Sequence, residues 1–293
     1  MSVDRRGDVA GGRDAAATIG DRRETAEQYA DSSRLNARAR LHIRYSRVDW
    51  FAFVAARLDL REGARVLDVG CGPGWFWGHG AHGSRPDVAL TLLDRSPAMV
   101  EEAVEKVRAL ARYGAVEGLV ADVTELDPAD LPAAPDGRRG PADAVVAMHV
   151  LYHVADQAAA LDAMARCLRP GGGVLVTTND PRNMAEIGAI SARVFGGDAR
   201  DPGGVAFSPE RGAALMRERF ADLEMHETID VLRCTQERDV RDFVTSFPPG
   251  DRATPDQLRS LDAAISDAFT GGVLEISKRS VVLTARRPGA PAR

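Results

Sequence analysis

Three glycines alternate with other residues at Gly70, Gly72 and Gly74, directly after the apolar run 66–69. Because glycine has no Cβ, a turn with this spacing can adopt positive φ and bring its backbone close to a bound molecule. A dinucleotide-binding loop would have its third glycine one position later, where this chain has Trp75. The spacing therefore disfavours a pyrophosphate site and indicates close approach of a smaller group. A tight turn without a ligand is the alternative for this motif alone.

Acidic residues recur at three successive strand-like runs, as Asp68, Asp94 and Asp122. The carboxyl ends of parallel strands meet at the edge where open α/β sheets bind ligands. A carboxylate there can accept hydrogen bonds from both hydroxyls of a ribose, as expected for Asp94. It can also accept from an adenine amine, as expected for Asp122 beside the backbone N–H of Val123. Aspartate is also a common cap or turn former, so no single one of these residues indicates a ligand site. Their ordered recurrence at three strand ends after the glycine turn does.

The elements that must position these residues alternate between short β-branched runs and helical segments. This alternation is typical of a parallel sheet with crossover helices. The runs lie at 65–69, 89–93, 117–121, 143–148 and 174–178. One helix begins after Ser96 and closes at Gly114, and another begins after Asp156. The Pro- and Gly-rich stretch 127–141 predicts a surface loop.

Further helices are expected around this sheet. Apolar residues recur at intervals of three and four over 36–58, which predicts one long helix or two short ones before the first strand. Downstream, helices are expected at 182–195, 209–220, 237–247 and 255–269, and strands at 223–229 and 280–285. We expect the added helices to cap the carboxyl edge of the sheet.

Composition excludes several classes of protein. The 293 residues are 44% hydrophobic and 28% charged, as in soluble globular proteins. The 38 basic and 43 acidic side chains give a net charge of −5, which disfavours nucleic acid as the main partner. No apolar run approaches the roughly 18 residues of a membrane span, so we expect a cytoplasmic protein without a membrane partner. The cysteines form no CxxC pair, so no metal site is expected.

Taken together, these motifs resemble those of class I S-adenosylmethionine-dependent methyltransferases. The resemblance covers about residues 60–180 and rests on the glycine turn, Asp94, Asp122 and the proline-glycine turn at 167–173. The stretch 148–156 and, more loosely, 41–46 and 276–278 are similar to a bacterial group of small-molecule methyltransferases. The resemblance implies S-adenosylmethionine as cofactor and an α/β, Rossmann-like, seven-stranded, mostly parallel sheet whose last strand is antiparallel.

The same resemblance implies roles for individual residues. Asp68 would hold the amino group of the cofactor, Asp94 its ribose, and Asp122 with Val123 its adenine. The residues of the glycine turn and the end of strand four complete the cofactor-binding set: Gly70, Cys71, Gly72, Gly74, Met148 and His149.

Aromatic and flexible residues near the turn leave the adenine-stacking partner open. Arg95 stands where an apolar or aromatic neighbour is frequent in the family, so the partner is either its aliphatic stem or Met99. One of Trp75 and Trp77 is expected to line the pocket. The aromatic cluster before the first strand is expected to be core rather than a substrate box: Trp50, Phe51 and Phe53.

Two histidines are candidate catalytic residues. His149, beside the expected sulfonium position, would act as general base or orient the acceptor, and His153 lies one turn further on. The alternative is that they only hydrogen-bond the backbone, since positioning alone can supply much of the rate of an in-line displacement. Tyr29 is expected to close over the cofactor; Arg44 and Tyr45 are further candidates for this, Tyr45 being equally compatible with the core.

The sequence thus predicts an arm at 1–25, a helical lid at 26–60 and a cofactor-binding domain at 61–293 with insertions at about 180–207 and 236–275. The predicted activity is methyl transfer to an oxygen, nitrogen or carbon of a small molecule in specialised metabolism. The alternatives are a methyltransferase fold that uses the bound cofactor without methyl transfer, and a protein or RNA methyltransferase. A homodimer is compatible with the sequence.

Overall fold

A computed structural model describes residues 33–134, 137 and 139–289. Its strands form one seven-stranded sheet in the order β3-β2-β1-β4-β5-β7-β6. The strands are β1 Arg65–Val69, β2 Arg85–Asp94, β3 Tyr113–Val120, β4 Ala142–Met148, β5 Leu168–Asn179, β6 Ala221–Cys234 and β7 Leu274–Arg286. The first five pair in parallel, and β7 runs antiparallel to both β5 and β6. The predicted sheet with its antiparallel last strand is confirmed. The 1–25 arm and Tyr29 lie outside the described residues.

The helices cover both faces and the carboxyl edge of this sheet. They are α1 Ser33–Tyr45, α2 Trp50–Ala55, α3 Trp75–His79, α4 Pro97–Ala109, α5 Gln157–Cys167, α6 Ala185–Phe195, α7 Pro202–Ala206, α8 Pro209–Arg217, α9 Glu237–Val244 and α10 Pro255–Ala268. The segment 36–58 forms two helices, because the chain turns after Tyr45 and Asp49 caps α2 through the N–H of Ala52. The short helices α3 and α7 carry too few residues for a periodic pattern, and the sequence did not predict them.

Both faces of the sheet bury apolar side chains, and a third apolar cluster lies under the added helices. Leu161 and Met164 of α5 pack with Val145 on one face, and Trp77 packs with Val107 of α4 on the other. The third cluster joins α1, α6, α9, α10 and β7, and includes Leu41, Ile187, Val240, Leu261 and Ile276. The cap therefore has its own core, which fixes it above the sheet.

The last two strands are longer than the sequence predicts. β6 and β7 pair from Ala221 to Cys234 and from Leu274 to Arg286, with a register shift near Ala221. Residues 274–279 include charged side chains that interrupt the apolar run, and pairing with β6 keeps them in the strand. This extension carries the start of β7 toward the cap helices.

Gly188 of α6 allows a close approach of the chain that follows this helix. A Cβ built on Gly188 would lie 1.8 Å from the backbone oxygen of Ala199. Backbone atoms cannot move aside as a flexible side chain can. The position of the loop before α7 therefore requires a residue without a Cβ at 188. That loop carries Asp201 to the cavity wall.

We predict that Gly188→Ala lowers the free energy of unfolding by about 1–3 kcal/mol through overpacking. Alanine would otherwise favour a helix interior by roughly 1 kcal/mol. Gly78→Ala is the control, because its Cβ would lie 3.6 Å from the flexible Lys106 side chain. Urea unfolding measures both; equal stability of the two variants would contradict the prediction.

Candidate active site

A cavity of about 1670 Å³ opens between the carboxyl edge of the sheet and the cap. The turns after β1, β2 and β4 form one wall, and residues of α1, α9 and β7 form the other. Pockets for a single ligand usually measure roughly 300–1,000 Å³. The volume is therefore sufficient for a cofactor together with a second molecule.

The glycine turn forms the floor of the cavity. Gly70 and Gly72 have φ of 69° and 51°, in the left-handed region that favours glycine. A Cβ on Gly70 would lie 2.4 Å from Cγ2 of Val150, whereas a Cβ on Gly72 would meet nothing within 4 Å. Gly70 thus permits packing against the turn after β4, and Gly72 leaves its backbone open to the cavity.

Asp94 ends β2 and is held by two backbone N–H groups. Gly72 donates to its Oδ2 at 3.1 Å and Ser96 donates to its Oδ1 at 2.9 Å. Burial raises the pKa of this carboxyl, and the two donors oppose that rise. Each oxygen keeps a lone pair for a further donor, so the carboxylate can bind a pair of vicinal hydroxyls.

Asp68 is buried at the end of β1, with 4% of its surface exposed. Its Oδ2 accepts a hydrogen bond of 2.9 Å from the indole N–H of Trp77. Burial raises the pKa of Asp68 to about 7; the indole N–H opposes this rise and the charge of Asp94 adds to it. A cation, such as an amino group, would stabilise the charged form of this carboxyl.

His149 follows β4 with an unusual backbone conformation. Its φ is 52°, which is uncommon for a residue with a side chain, and its N–H donates to the carbonyl and hydroxyl oxygens of Thr177. The ring lies 5.5 Å from that of Trp50, centroid to centroid, and lines the cavity. Burial, with Lys278 and His153 adding smaller effects, lowers the pKa of His149 to about 3. The imidazole is therefore neutral at neutral pH.

The wall opposite the sheet carries polar groups from distant parts of the chain. His42 of α1 and Lys278 of β7 both line the cavity. Burial, with smaller effects of Lys278 and His149, lowers the pKa of His42 to about 3. The ammonium of Lys278 lies 5.7 Å from the ring centroid of Trp50.

A family model for a methyltransferase domain matches residues 40–227, more than half of the chain. The chain belongs to this methyltransferase family. The resemblance found in the sequence is thereby confirmed at the level of the family. The matched segment includes the glycine turn, Asp94 and His149.

Curated relatives match part of this methyltransferase. Ubiquinone biosynthesis O-methyltransferases of Xanthomonas oryzae and Xylella fastidiosa are 37% and 36% identical over 131 and 126 residues. The match covers 43% of this chain in both cases, and 47% and 46% of those proteins. The chain therefore spans about half the length of these relatives.

Solved structures share the fold of the methyltransferase. The [4+2]-cyclase SpnF has a TM-score of 0.56 at 22% identity, over 91% of this chain and 96% of that chain. Phosphoethanolamine N-methyltransferase 2 of Haemonchus contortus, in complex with S-adenosyl-L-methionine, has a TM-score of 0.52 at 16% identity, over 93% of this chain and 61% of that chain. At these identities the likeness shows the Rossmann-like fold alone.

S-adenosylmethionine is the cofactor of this family, and the cavity has the groups that fit it. Asp94 offers a carboxylate for the ribose hydroxyls, and Gly72 leaves the turn open where a ligand can approach the backbone. The buried carboxyl of Asp68 lacks a cationic partner among the described residues, and the amino group of the cofactor would supply one.

The structure brings most of the predicted cofactor-binding residues to this cavity. Those on its wall are Asp68, Gly70, Cys71, Gly72, Asp94, Arg95, Val123, Met148 and His149. His153 also lines it, and burial followed by the charge of Arg38 lowers the pKa of that histidine to about 4. Trp75 lines the wall too, whereas Trp77 is in the core.

Three predicted residues lie elsewhere. Met99 has 1% of its surface exposed on the inner face of α4 and does not line the cavity, which leaves the stem of Arg95 as the candidate adenine partner. A Cβ on Gly74 would lie 3.0 Å from Cα of Ala103, so this glycine serves the packing of α3 on α4. Asp122 caps a 3-10 turn by accepting from the N–H and hydroxyl of Thr124.

Other expectations near the cap also need correction. Trp50 and Phe51 pack against the core as expected but in addition line the cavity. Arg44 and Tyr45 bond to Asp239 of α9 at 3.2 and 2.7 Å, and so fasten α1 to α9 instead of lining the cavity.

Sequence reasoning assigned no role to His42 or Lys278. His42 lies in the segment 41–46 and Lys278 in the segment 276–278. The likeness of these segments to small-molecule methyltransferases was the only feature of the sequence that pointed to a role for either residue. Their approach to His149 depends on the packing of α1 and β7, which no local pattern encodes.

We predict that Asp68→Asn stabilises the ligand-free protein at pH 8 by about 1–3 kcal/mol. The raised pKa of Asp68 adds stability that is fully present below the unfolded value of 3.8 and is lost as pH rises through about 7. Asparagine has no charge to bury and can still accept the bond from Trp77. The gain should shrink as pH falls toward 4.

Urea unfolding at pH 8 and pH 5 measures this difference. A variant that is less stable than the natural protein by the same amount at both values would contradict the account of Asp68.

Proposed function

We propose that the protein transfers a methyl group from S-adenosylmethionine to a nucleophilic atom of a small molecule. The observation that carries the proposal is that the Asp94 carboxylate and the open turn at Gly72 face one cavity large enough for two ligands. The bound cofactor would supply an electrophilic methyl carbon on a sulfonium. The protein's task is then to hold the acceptor in line with that carbon.

The sheet half of the cavity would hold the cofactor. Asp94 would accept from the ribose hydroxyls, and Asp68 would face the amino group. Val123 would offer its backbone N–H to the adenine, with Asp122 beside it. Burial of both carboxyls in this half supports the assignment, because a sulfonium compound with an amino group brings positive charge to them.

The cap half would hold the acceptor. The names of the relatives, which are O-methyltransferases, favour oxygen over nitrogen or carbon as the methylated atom. We extend the proposal to an acceptor of specialised metabolism, since the stretches 148–156, 41–46 and 276–278 are similar to a bacterial group of small-molecule methyltransferases. We propose α1 as a lid because the ion pair of Arg40 with Asp242 at 3.0 Å and the bond from Tyr45 to Asp239 fasten it to α9.

His149 and His153 would orient the acceptor as neutral imidazoles. Groups whose pKa is about 3 and 4 are weak proton acceptors, far from the value near 7 that suits a general base at neutral pH. A neutral ring can still accept or donate one hydrogen bond at each nitrogen. This supports the positioning alternative over base catalysis.

We predict that isothermal titration calorimetry detects binding of S-adenosylhomocysteine and that Asp94→Asn weakens it about 10- to 100-fold. Loss of a charged acceptor of hydrogen bonds costs about 1.5–3 kcal/mol. Asp156→Asn is the matched control: Asp156 also caps backbone N–H groups, through Ala159 at 2.9 Å, but is exposed and lies outside the cavity wall. Its affinity should stay within twofold.

Absence of binding at high micromolar concentration, or equal affinity of Asp94→Asn and the natural protein, would contradict the proposal. The fold is shared with a cyclase, so turnover needs its own measurement. Mass spectrometry should detect S-adenosylhomocysteine and methylated acceptor in equal amounts. A converted acceptor beside unchanged cofactor would favour the non-methylating alternative.

A further inference from the structure

Lys278 lies on the wall of the cap half of the cavity. The side chain is half-buried and lines the cavity. Within the described part of the chain its ammonium makes no hydrogen bond and no ion pair, and it lies 5.7 Å from the ring centroid of Trp50. Phe53 stacks on Trp50 at 5.9 Å, which holds this ring in place beside the ammonium.

The carboxylates around Lys278 are occupied by other donors. Asp230, its neighbour across the β6–β7 ladder, accepts on Oδ2 from Ser46 Oγ at 2.6 Å and from the N–H of Arg47 at 3.0 Å, and on Oδ1 from Val231. Asp201 on the cavity wall accepts from two asparagine amides and from the N–H of Gly204. The charge of Asp230 favours the protonated form of Lys278, but neither carboxylate forms an ion pair with it.

Two histidines near Lys278 carry no charge. His42 faces it from α1 and His149 from the turn after β4, and both are neutral because burial and the charge of Lys278 lower their pKa to about 3. Nδ1 of His42 is buried and has no hydrogen-bond partner among the described residues. The ring of His42 and the side chain of Lys278 line the same cavity, so a cation and a neutral hydrogen-bonding ring border one space.

Burying an ammonium or an imidazole nitrogen without a partner costs free energy. A ligand with a negatively charged oxygen would recover that cost by accepting from Lys278 and bonding to His42. A cationic or purely apolar ligand would leave both groups unpaired. The sheet half of the cavity, which contains Asp68 and Asp94, favours a cationic ligand instead.

We propose that Lys278 binds a negatively charged oxygen of the acceptor, a carboxylate or an ionised phenol, with His42 forming the second contact. This inference rests on the proposed function, because it names the class of molecule that the methyltransferase accepts. Lys278 is then a specificity-determining residue, since it selects anionic acceptors over neutral molecules of the same shape.

The test compares three probes of similar shape, 4-nitrophenol, 4-nitrobenzoate and nitrobenzene, near neutral pH with saturating S-adenosylhomocysteine. At that pH Lys278 is charged, because burial lowers its pKa only to about 8. Titration calorimetry gives the affinities, and the visible absorbance of the phenolate reports its ionisation on the protein. We expect at least one anion to bind tenfold or more tightly than nitrobenzene, and the preferred anion identifies the acceptor class.

Lys278→Met should abolish that preference while binding nitrobenzene as the natural protein does, and Lys278→Arg should restore part of it. Lys106→Met is the matched control, because the ammonium of Lys106 is already paired with Glu102 at 3.1 Å and bonded to the Pro73 carbonyl. It should keep the preference for the anion.

Equal binding of all three probes, no binding of either anion at millimolar concentration, or an anion preference that survives in Lys278→Met would overturn the proposal. Failure of the cofactor product to bind would instead overturn the proposed function. The two failures are distinguishable, because the probes can also be titrated into the protein without S-adenosylhomocysteine.

Discussion

The Asp94 carboxylate, held by the N–H groups of Gly72 and Ser96, is the interaction on which the rest of the site depends. It ties the end of β2 to the turn after β1 across neighbouring parallel strands. The N–H of Cys71 donates a further hydrogen bond to the carbonyl of Leu93 at 2.9 Å, so this bond and the one from Gly72 to Asp94 hold the ends of β1 and β2 together. A side chain at Gly70 would clash with Val150, so the same turn also fixes the position of the chain after β4. Three loops thereby face one cavity with a fixed carboxylate between them.

Charge is distributed unevenly across this cavity. The sheet half carries Asp68 and Asp94, whose burial raises the pKa of each carboxyl. The cap half carries Lys278, whose burial lowers its pKa to about 8. In both halves burial therefore disfavours the charged form of these groups in the ligand-free protein. A cationic donor at one end and an anionic acceptor at the other would relieve both.

Local patterns predicted the sheet half well because its residues follow one another along single strands. Spacing and strand order alone placed the glycine turn and Asp94 at the carboxyl edge of the sheet, and β1 has the predicted bounds. The choice between Met99 and the stem of Arg95 as the adenine partner stayed open in the sequence, because only packing decides whether Met99 faces the cavity or the core; the structure buries it on the inner face of α4. Trp50 shows the same ambiguity, since an aromatic ring can cover the core and line a cavity at once.

The cap half could not be predicted, because its geometry arises from contacts between residues far apart in the chain. Lys278 lies in a part of β7 whose charged residues interrupt the apolar pattern typical of a strand. Only the pairing with β6 extends β7 over these residues. His42 reaches the cavity only when α1 docks on α9 through bonds such as Tyr45 to Asp239, 194 positions apart. Sequence spacing carries no information about such approaches.

A crystal structure of the protein with S-adenosylhomocysteine tests the central claim most directly. The account predicts ribose hydroxyls within hydrogen-bonding distance of both Asp94 oxygens, adenine beside Val123, and the sulfur directed toward His149 and the cap. A ligand bound outside the three loops, or in the cavity without contact to Asp94, would contradict it.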